Sequence, residues 1–139
     1  MKIIDTVYLV AYFKPSDPLR GIIVRIIENL GEERRVSQAS LIGFGLLIKS
    51  RGLGLYDGLK AWIVLNKLVG NDSVKSVLPL DMIIALYLYE KYGLDYFDAL
   101  IAAQCIARNA KPLITDKEII QTIAKKKEII NDLRKLHIG

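Results

Sequence analysis

Two rhythms of apolar residues run along the chain. Lys2-Ile3-Ile4 is a short β-prone run ending at Asp5-Thr6, and Val7 to Phe13 is apolar up to the break at Pro15, which predicts a strand followed by a short helix. From Asp17 onward, Ile22, Ile23, Ile26, Ile27 and Leu30 recur at helical spacing, with Arg25 and Glu28 between them and Gly31 as the stop. Ser37 is placed to N-cap a third helix through Leu41 to Lys49, which Gly52 and Gly54 close. Gly43 and Gly45 inside that helix are unusual, because glycine weakens a helix interior and is kept where another backbone or side chain comes close. Leu55 to Val69 reads as a fourth helix, carrying Trp62 as a core residue, with a turn at Gly70-Asn71-Asp72.

The second half repeats the alternation. Val74 to Leu78 is β-prone, and Pro79-Leu80-Asp81 starts a helix, Met82 to Tyr92, that is apolar nearly all round and is therefore expected to be buried. Asp95 to Asn109 is the next helix, Pro112 to Thr115 a third short strand ending at Asp116, and Lys117 to Ala124 a further helix. The tail to Gly139 fits either helix or a last strand followed by helix. Short β-runs separated by helical stretches predict an α/β fold, a small parallel sheet sandwiched by helices in three α/β/α layers.

Composition narrows the class. The 139 residues suit a single domain, 1–139, large enough to bury a core without disulfides or a structural metal. With 52% hydrophobic and 25% charged residues the chain is expected to be globular, neither a disordered tail nor a coiled coil. Its apolar runs, such as Ser40 to Ile48 and Met82 to Tyr89, fall short of the roughly 18 residues of a membrane span, and Met1-Lys2-Ile3-Ile4-Asp5 breaks too early for a signal peptide. A cytoplasmic location and no membrane partner are the expectation. The single cysteine, Cys105, lies in an apolar stretch and reads as a buried structural thiol. A net charge of +5 and a run at Lys125-Lys126-Lys127 suit a polyanionic partner, although a lysine run equally suits a solvated helix face. Abundant isoleucine and lysine with few methionines lean toward a thermophilic composition.

The candidate chemistry is carried by acids beside the strands. Asp5 ends the first strand and Asp116 the last, while Asp98 lies in the first turn of a helix that the last strand follows and runs back along. A helix of about 12 residues climbs about 18 Å, and a turn plus a four-residue strand covers most of that distance in return. The three carboxylates therefore converge at the C-terminal edge of the sheet, where open α/β sheets bind ligands. Each is also a plausible helix cap, and Asp95-Tyr-Phe-Asp98 has the spacing of a capping box. Three carboxylates brought together repel one another, and a divalent cation relieves that cost. Hard oxygen ligands favour Mg²⁺ or Mn²⁺ over zinc. His137, the only histidine, reads as a surface residue. No glycine-rich phosphate loop and no serine or histidine nucleophile arrangement is present, which argues against a general metabolic α/β enzyme.

With "KIIDT" at the start and "VLPLD…YGLDYFDALIAAQCIARNAKPLITDKEI" near the end, the chain resembles the PIN-domain nucleases, and among them the small VapC-like archaeal and bacterial members. The resemblance runs over nearly the whole length. It implies that Asp5, Asp98 and Asp116 are the catalytic, metal-binding acids, that Thr6, Thr115 and Lys117 touch substrate, and that the cofactor is Mg²⁺ or Mn²⁺. It further implies an endoribonuclease acting on RNA phosphodiesters, the toxin of a toxin–antitoxin pair, a homodimer held by an antitoxin protein. Lys49 and Arg51 are further candidates for contact with the RNA backbone.

Two departures from the family pattern stand out. The glutamate that the family carries in its third helix falls, by alignment of "VSQASLIGFGLLIKSRG", on Gly43. Thr115 and Asp116 are adjacent, where the family commonly has one residue between them, and on a continuing strand that turns the acid to the other side. Asp95, one helical turn before Asp98, is a candidate for the missing charge. The alternative to an active nuclease is a weak or inactive PIN-like module that binds RNA or a protein.

Overall fold

The computed structural model describes residues 2–4, 6–14, 16–18, 20–31, 34–50, 54–113 and 116–136. Four parallel strands form one sheet in the order β3-β2-β1-β4, with β1 Lys2–Ile4, β2 Arg34–Ser37, β3 Val74–Lys75 and β4 Lys111–Leu113. Eight helices are described: α1 Thr6–Phe13, α2 Arg20–Leu30, α3 Gln38–Ser50, α4 Leu55–Leu68, α5 Pro79–Tyr92, α6 Tyr96–Arg108, α7 Lys117–Ala124 and α8 Lys126–Lys135. None of them is long and apolar enough to cross a membrane.

Strand alternation divides the core. Ile3 and Ile4 are both fully buried, and because neighbouring residues of a strand point to opposite faces they feed different layers. Ile4 joins Leu9, Ile23, Ile27, Val36, Phe44 and Leu65, the cluster under α1 to α4. Ile3 packs with Ile101, Cys105 and Ala110, on the side of α6. Beyond α6, residues of α5, α7 and α8 complete the third layer. The α/β/α sandwich expected from the sequence is the fold observed, and Cys105 is the buried, unbridged thiol that was expected.

Four particulars differ from the sequence reading. Strand β2, Arg34–Ser37, was not anticipated, because two arginines conceal a run in which only Val36 and Ser37 are buried. Strands β3 and β4 are shorter than predicted and β4 starts one residue earlier, so that Pro112 lies inside it, paired with Ile3. β4 is an edge strand and pairs only with β1, so the missing proline N–H costs no second ladder. Helix α5 is not buried all round: Asp81, Ile84, Ala85 and Leu88 face inward while Leu80, Met82, Leu86 and Tyr89 are exposed. The tail is helical through Lys135, with Ile129 and Leu133 as the buried positions of α8.

The internal glycines of α3 and the glycine of α4 explain how those helices approach each other. A Cβ on Gly45 would stand 3.3 Å from the Trp62 ring, and one on Gly58 would stand 3.5 Å from the Ile48 Cγ2. Trp62 in turn meets Phe44 edge-on, ring centroids 5.4 Å apart.

Candidate active site

The strand ends set the frame. Ile4 pairs with Val36 on one side and Leu113 on the other, and Ser37 pairs with Lys75, so the C-terminal ends of all four strands lie along one edge. The sequence continues from Ile4 into Asp5. Asp5, Thr115 and the Thr6 side chain lie outside the described residues, as do Arg51 and His137.

Helix α3 leaves that edge directly from β2. The Ser37 Oγ accepts a hydrogen bond from the Ala39 N–H at 3.0 Å, which caps the helix as the sequence suggested. One turn in, the buried Ser40 Oγ donates to the Ile4 carbonyl at 3.2 Å and ties α3 to the last residue of β1. Gly43 stands three residues further on, on the same face of the helix, and is buried. The position that the family pattern reserves for a glutamate thus faces the site and carries no side chain.

Helix α6 brings Asp98. Asp95 is its N-cap, in extended conformation, and the Asp95 Oδ1 accepts the Asp98 N–H at 2.9 Å. Behind the cap, residues from Ala99 to Ile106 are all buried, and the small side chains of Ala99, Ala102 and Ala103 let α6 lie close to its neighbours. Asp98 is half-buried in the first turn, where the helix dipole favours a negative charge. At the other end Asn109, with φ of 51°, turns the chain out of α6 and into β4. β4 therefore runs back beside the helix.

Asp116 caps α7 from the far end of that strand connection. Its Oδ1 accepts the N–H groups of Glu118 at 2.9 Å and Ile119 at 3.4 Å. The described strand ends at Leu113 and Asp116 sits in a helix cap, so the strand-alternation argument against it does not apply. α7 packs against α6 through Ile119 and Thr122, and Ile119 shares a core cluster with Ala99, Leu100 and Ala103. Two helix N-termini, each carrying a partly or wholly exposed aspartate, are thereby held in one packed unit with β4. Lys117 is exposed beside Asp116, and Lys49 is exposed at the end of α3.

The donor set suits a hard cation. The cap bonds of Asp95 and Asp116 each fall on one carboxylate oxygen, Oδ1, which leaves the chemistry of the second oxygen compatible with Mg²⁺ or Mn²⁺. Among the described residues no group of three or more His, Cys, Asp or Glu side chains gathers.

A polar clamp behind the site was not read from the sequence. Arg108 donates Nη1 to the Asp81 Oδ1 at 2.6 Å and Nη2 to both the Asp81 Oδ2 at 2.9 Å and the Ser76 carbonyl at 3.1 Å. The Gln104 Nε2 donates to the carbonyls of Lys75 and Ser76, and the Val77 N–H donates to the Gln38 Oε1. The segment leaving β3 is thus held by α3, α5 and α6 together. Asp81 holds the Arg108 guanidinium above its ordinary pKa. The signal available in sequence was the Pro79-Leu80-Asp81 helix start, since Asp81 also accepts the Leu78 N–H at 2.7 Å, but nothing there pointed to Arg108.

A family model described as PIN domain matches residues 2–126. No curated protein matches the chain.

Proposed function

The chain belongs to the PIN domain family, whose members are generally metal-dependent nucleases, and from that premise we propose that it is an endoribonuclease using Mg²⁺ or Mn²⁺, the toxin of a toxin–antitoxin pair. The observation that carries this reading is the pairing of Asp98 and Asp116 at the first turns of two helices packed on each other, beside the strand that leads into Asp5. Asp5 and Asp98 are the primary ligands in this reading, and Asp116 is a ligand or the group that orients water. A cation held there supplies an activated water and neutralises charge developing on the phosphate and the leaving oxygen.

The protein's own part is positional. Asp116 is fixed by two amides of α7, and Asp98 is fixed through its amide by Asp95, so neither carboxylate has to be ordered when substrate arrives. Lys117 is placed to meet a phosphate, with Thr6 and Thr115 as hydroxyl donors, and the +5 net charge draws a polyanion toward the molecule.

A second reading is favoured by one observation, the buried Gly43 on the site-facing side of α3. In it the chain is a weak or inactive module that binds RNA or protein. The test is Mn²⁺ calorimetry on the wild type and Asp98→Asn, run beside cleavage of a mixed single-stranded RNA with the same metal. Binding and cleavage that both disappear in Asp98→Asn support the nuclease. A wild type that binds no metal at millimolar concentration sinks it and leaves the binding module.

A further inference from the structure

Helix α4 carries an apolar ridge on the side turned away from its own core. Gly58 and Leu65 are buried and Ala61 and Trp62 pack inward, whereas Leu55, Tyr56, Leu59 and Ile63 are exposed, Leu55 by 71% and Tyr56 by 78%. Leu55, Leu59 and Ile63 follow one another at four-residue steps and form a single row along the helix. No charged residue interrupts the row; Lys60 and Lys67 lie to one side of it. On α3, packed beside α4, Ile42 and Leu46 are also half exposed.

We propose that this face is a homodimer surface, on which a second copy of the chain crosses α4 about a twofold axis through Leu59. Three features argue for a second copy. The row is symmetric about Leu59, so an antiparallel copy sets Leu55 against Ile63 of the partner subunit and Leu59 against Leu59 of the partner subunit. That self-complementarity is what a twofold contact requires. Rows of four-residue spacing interdigitate when two helices cross at about −50°, the commonest class of helix packing. The exposed apolar side chains of α4 and α3 together present roughly 700 Å², close to the about 800 Å² that each partner gives to a stable interface.

The competing face is smaller. Met82, Leu86 and Tyr89 on α5 form a second exposed row, but they present roughly 300 Å², the size of patch an ordinary monomer tolerates. The proposal stands independently of the nuclease reading, since neither metal nor RNA enters its test.

Sedimentation velocity of the full chain over a concentration series decides it, with Leu59→Arg, Leu55→Arg and Leu86→Arg beside the wild type. Leu59→Arg puts two like charges face to face on the axis. Wild type and Leu86→Arg are expected at twice the 15.6 kDa chain mass, and Leu59→Arg and Leu55→Arg at the single-chain mass with unchanged circular dichroism. A wild type that stays at the single-chain mass throughout, a folded Leu59→Arg that still dimerises, or a dimer lost in Leu86→Arg overturns the proposal.

Discussion

Arg108 grips Asp81 with both ends of its guanidinium, Nη1 to Oδ1 at 2.6 Å and Nη2 to Oδ2 at 2.9 Å, while the carboxylate is 1% exposed. The pair joins the last turn of α6 to the first turn of α5. Removing the cation strands a buried charge, which costs far more than the pair itself contributes. Arg108→Ala is therefore expected to destabilise the fold by about 3 kcal/mol, the lower end of the usual range because Arg108 keeps contact with water. Denaturant titration checks it. A loss below about 1 kcal/mol, the scale of a surface pair, would show that Asp81 is relieved in some other way.

The contrast between that pair and the strands shows what a sequence exposes. Helices α2 and α4, the capping serine Ser37 and the burial of Cys105 were legible because each depends on local spacing. Asp98 and Asp116 were legible as first-turn acids for the same reason. Strand β2 was hidden because Arg34 and Arg35 mask a four-residue run whose stability comes from β1 and β3, its neighbours in the sheet. The Asp81–Arg108 pair spans 27 residues and leaves no periodic trace. Helix α5 misled for another reason: its composition is apolar all round, but only one side meets the fold.

Asp95 is held as a helix cap, and that separates it from Asp98. The serine of Asp95→Ser retains an oxygen for the Asp98 N–H, so the variant is expected to keep its stability within about 0.5 kcal/mol, whereas Asp95→Ala loses about 1 kcal/mol. In the metal reading, Asp95→Ser keeps Mn²⁺ affinity and Asp98→Asn loses it. Calorimetry showing loss in Asp95→Ser at full stability would make Asp95 a ligand rather than a cap.

Gly43 offers the reverse experiment, an acid restored. The glycine lies one turn beyond Ser40, whose hydroxyl is bonded to the end of β1. Gly43→Glu is expected to bind Mn²⁺ about tenfold more tightly, or about 1.4 kcal/mol. The measurement is calorimetric, at a pH where carboxylates are ionised. Unchanged affinity in a folded variant would mean that this face of α3 does not open onto the metal position.

Asp132 carries a pH dependence of known sign. Its hydrogen bond from Lys91, 2.9 Å, and then the one from the Tyr87 hydroxyl hold its carboxyl below the ordinary range. A carboxyl depressed in the folded state stabilises above its unfolded pKa of about 3.9, and that contribution is lost as the pH falls through the folded value. Asp132→Asn is thus expected to flatten the fall of the melting temperature below about pH 4. High salt should weaken the wild-type effect, because Lys91 is exposed. Identical pH profiles for variant and wild type would remove Asp132 from the acid response.

Two glycines in packed helices should respond oppositely to alanine. At Gly58 the new methyl would meet Ile48 at 3.5 Å, an ordinary contact, and the gain in helix propensity is unopposed. Gly58→Ala is expected to stabilise by about 0.5–1 kcal/mol. At Gly45 the methyl would come within 3.3 Å of the Trp62 ring, which is itself fixed edge-on against Phe44 and has little room to retreat. The crowding there offsets the propensity gain, and Gly45→Ala is expected to be destabilising by up to about 1 kcal/mol, within the range for overpacking. Thermal melts with tryptophan fluorescence read both effects at once, because Trp62 is the only tryptophan and only the Gly45 variant should shift its emission. Equal stabilisation by both substitutions would mean that α3 and α4 move apart freely and that the glycines do not set their separation.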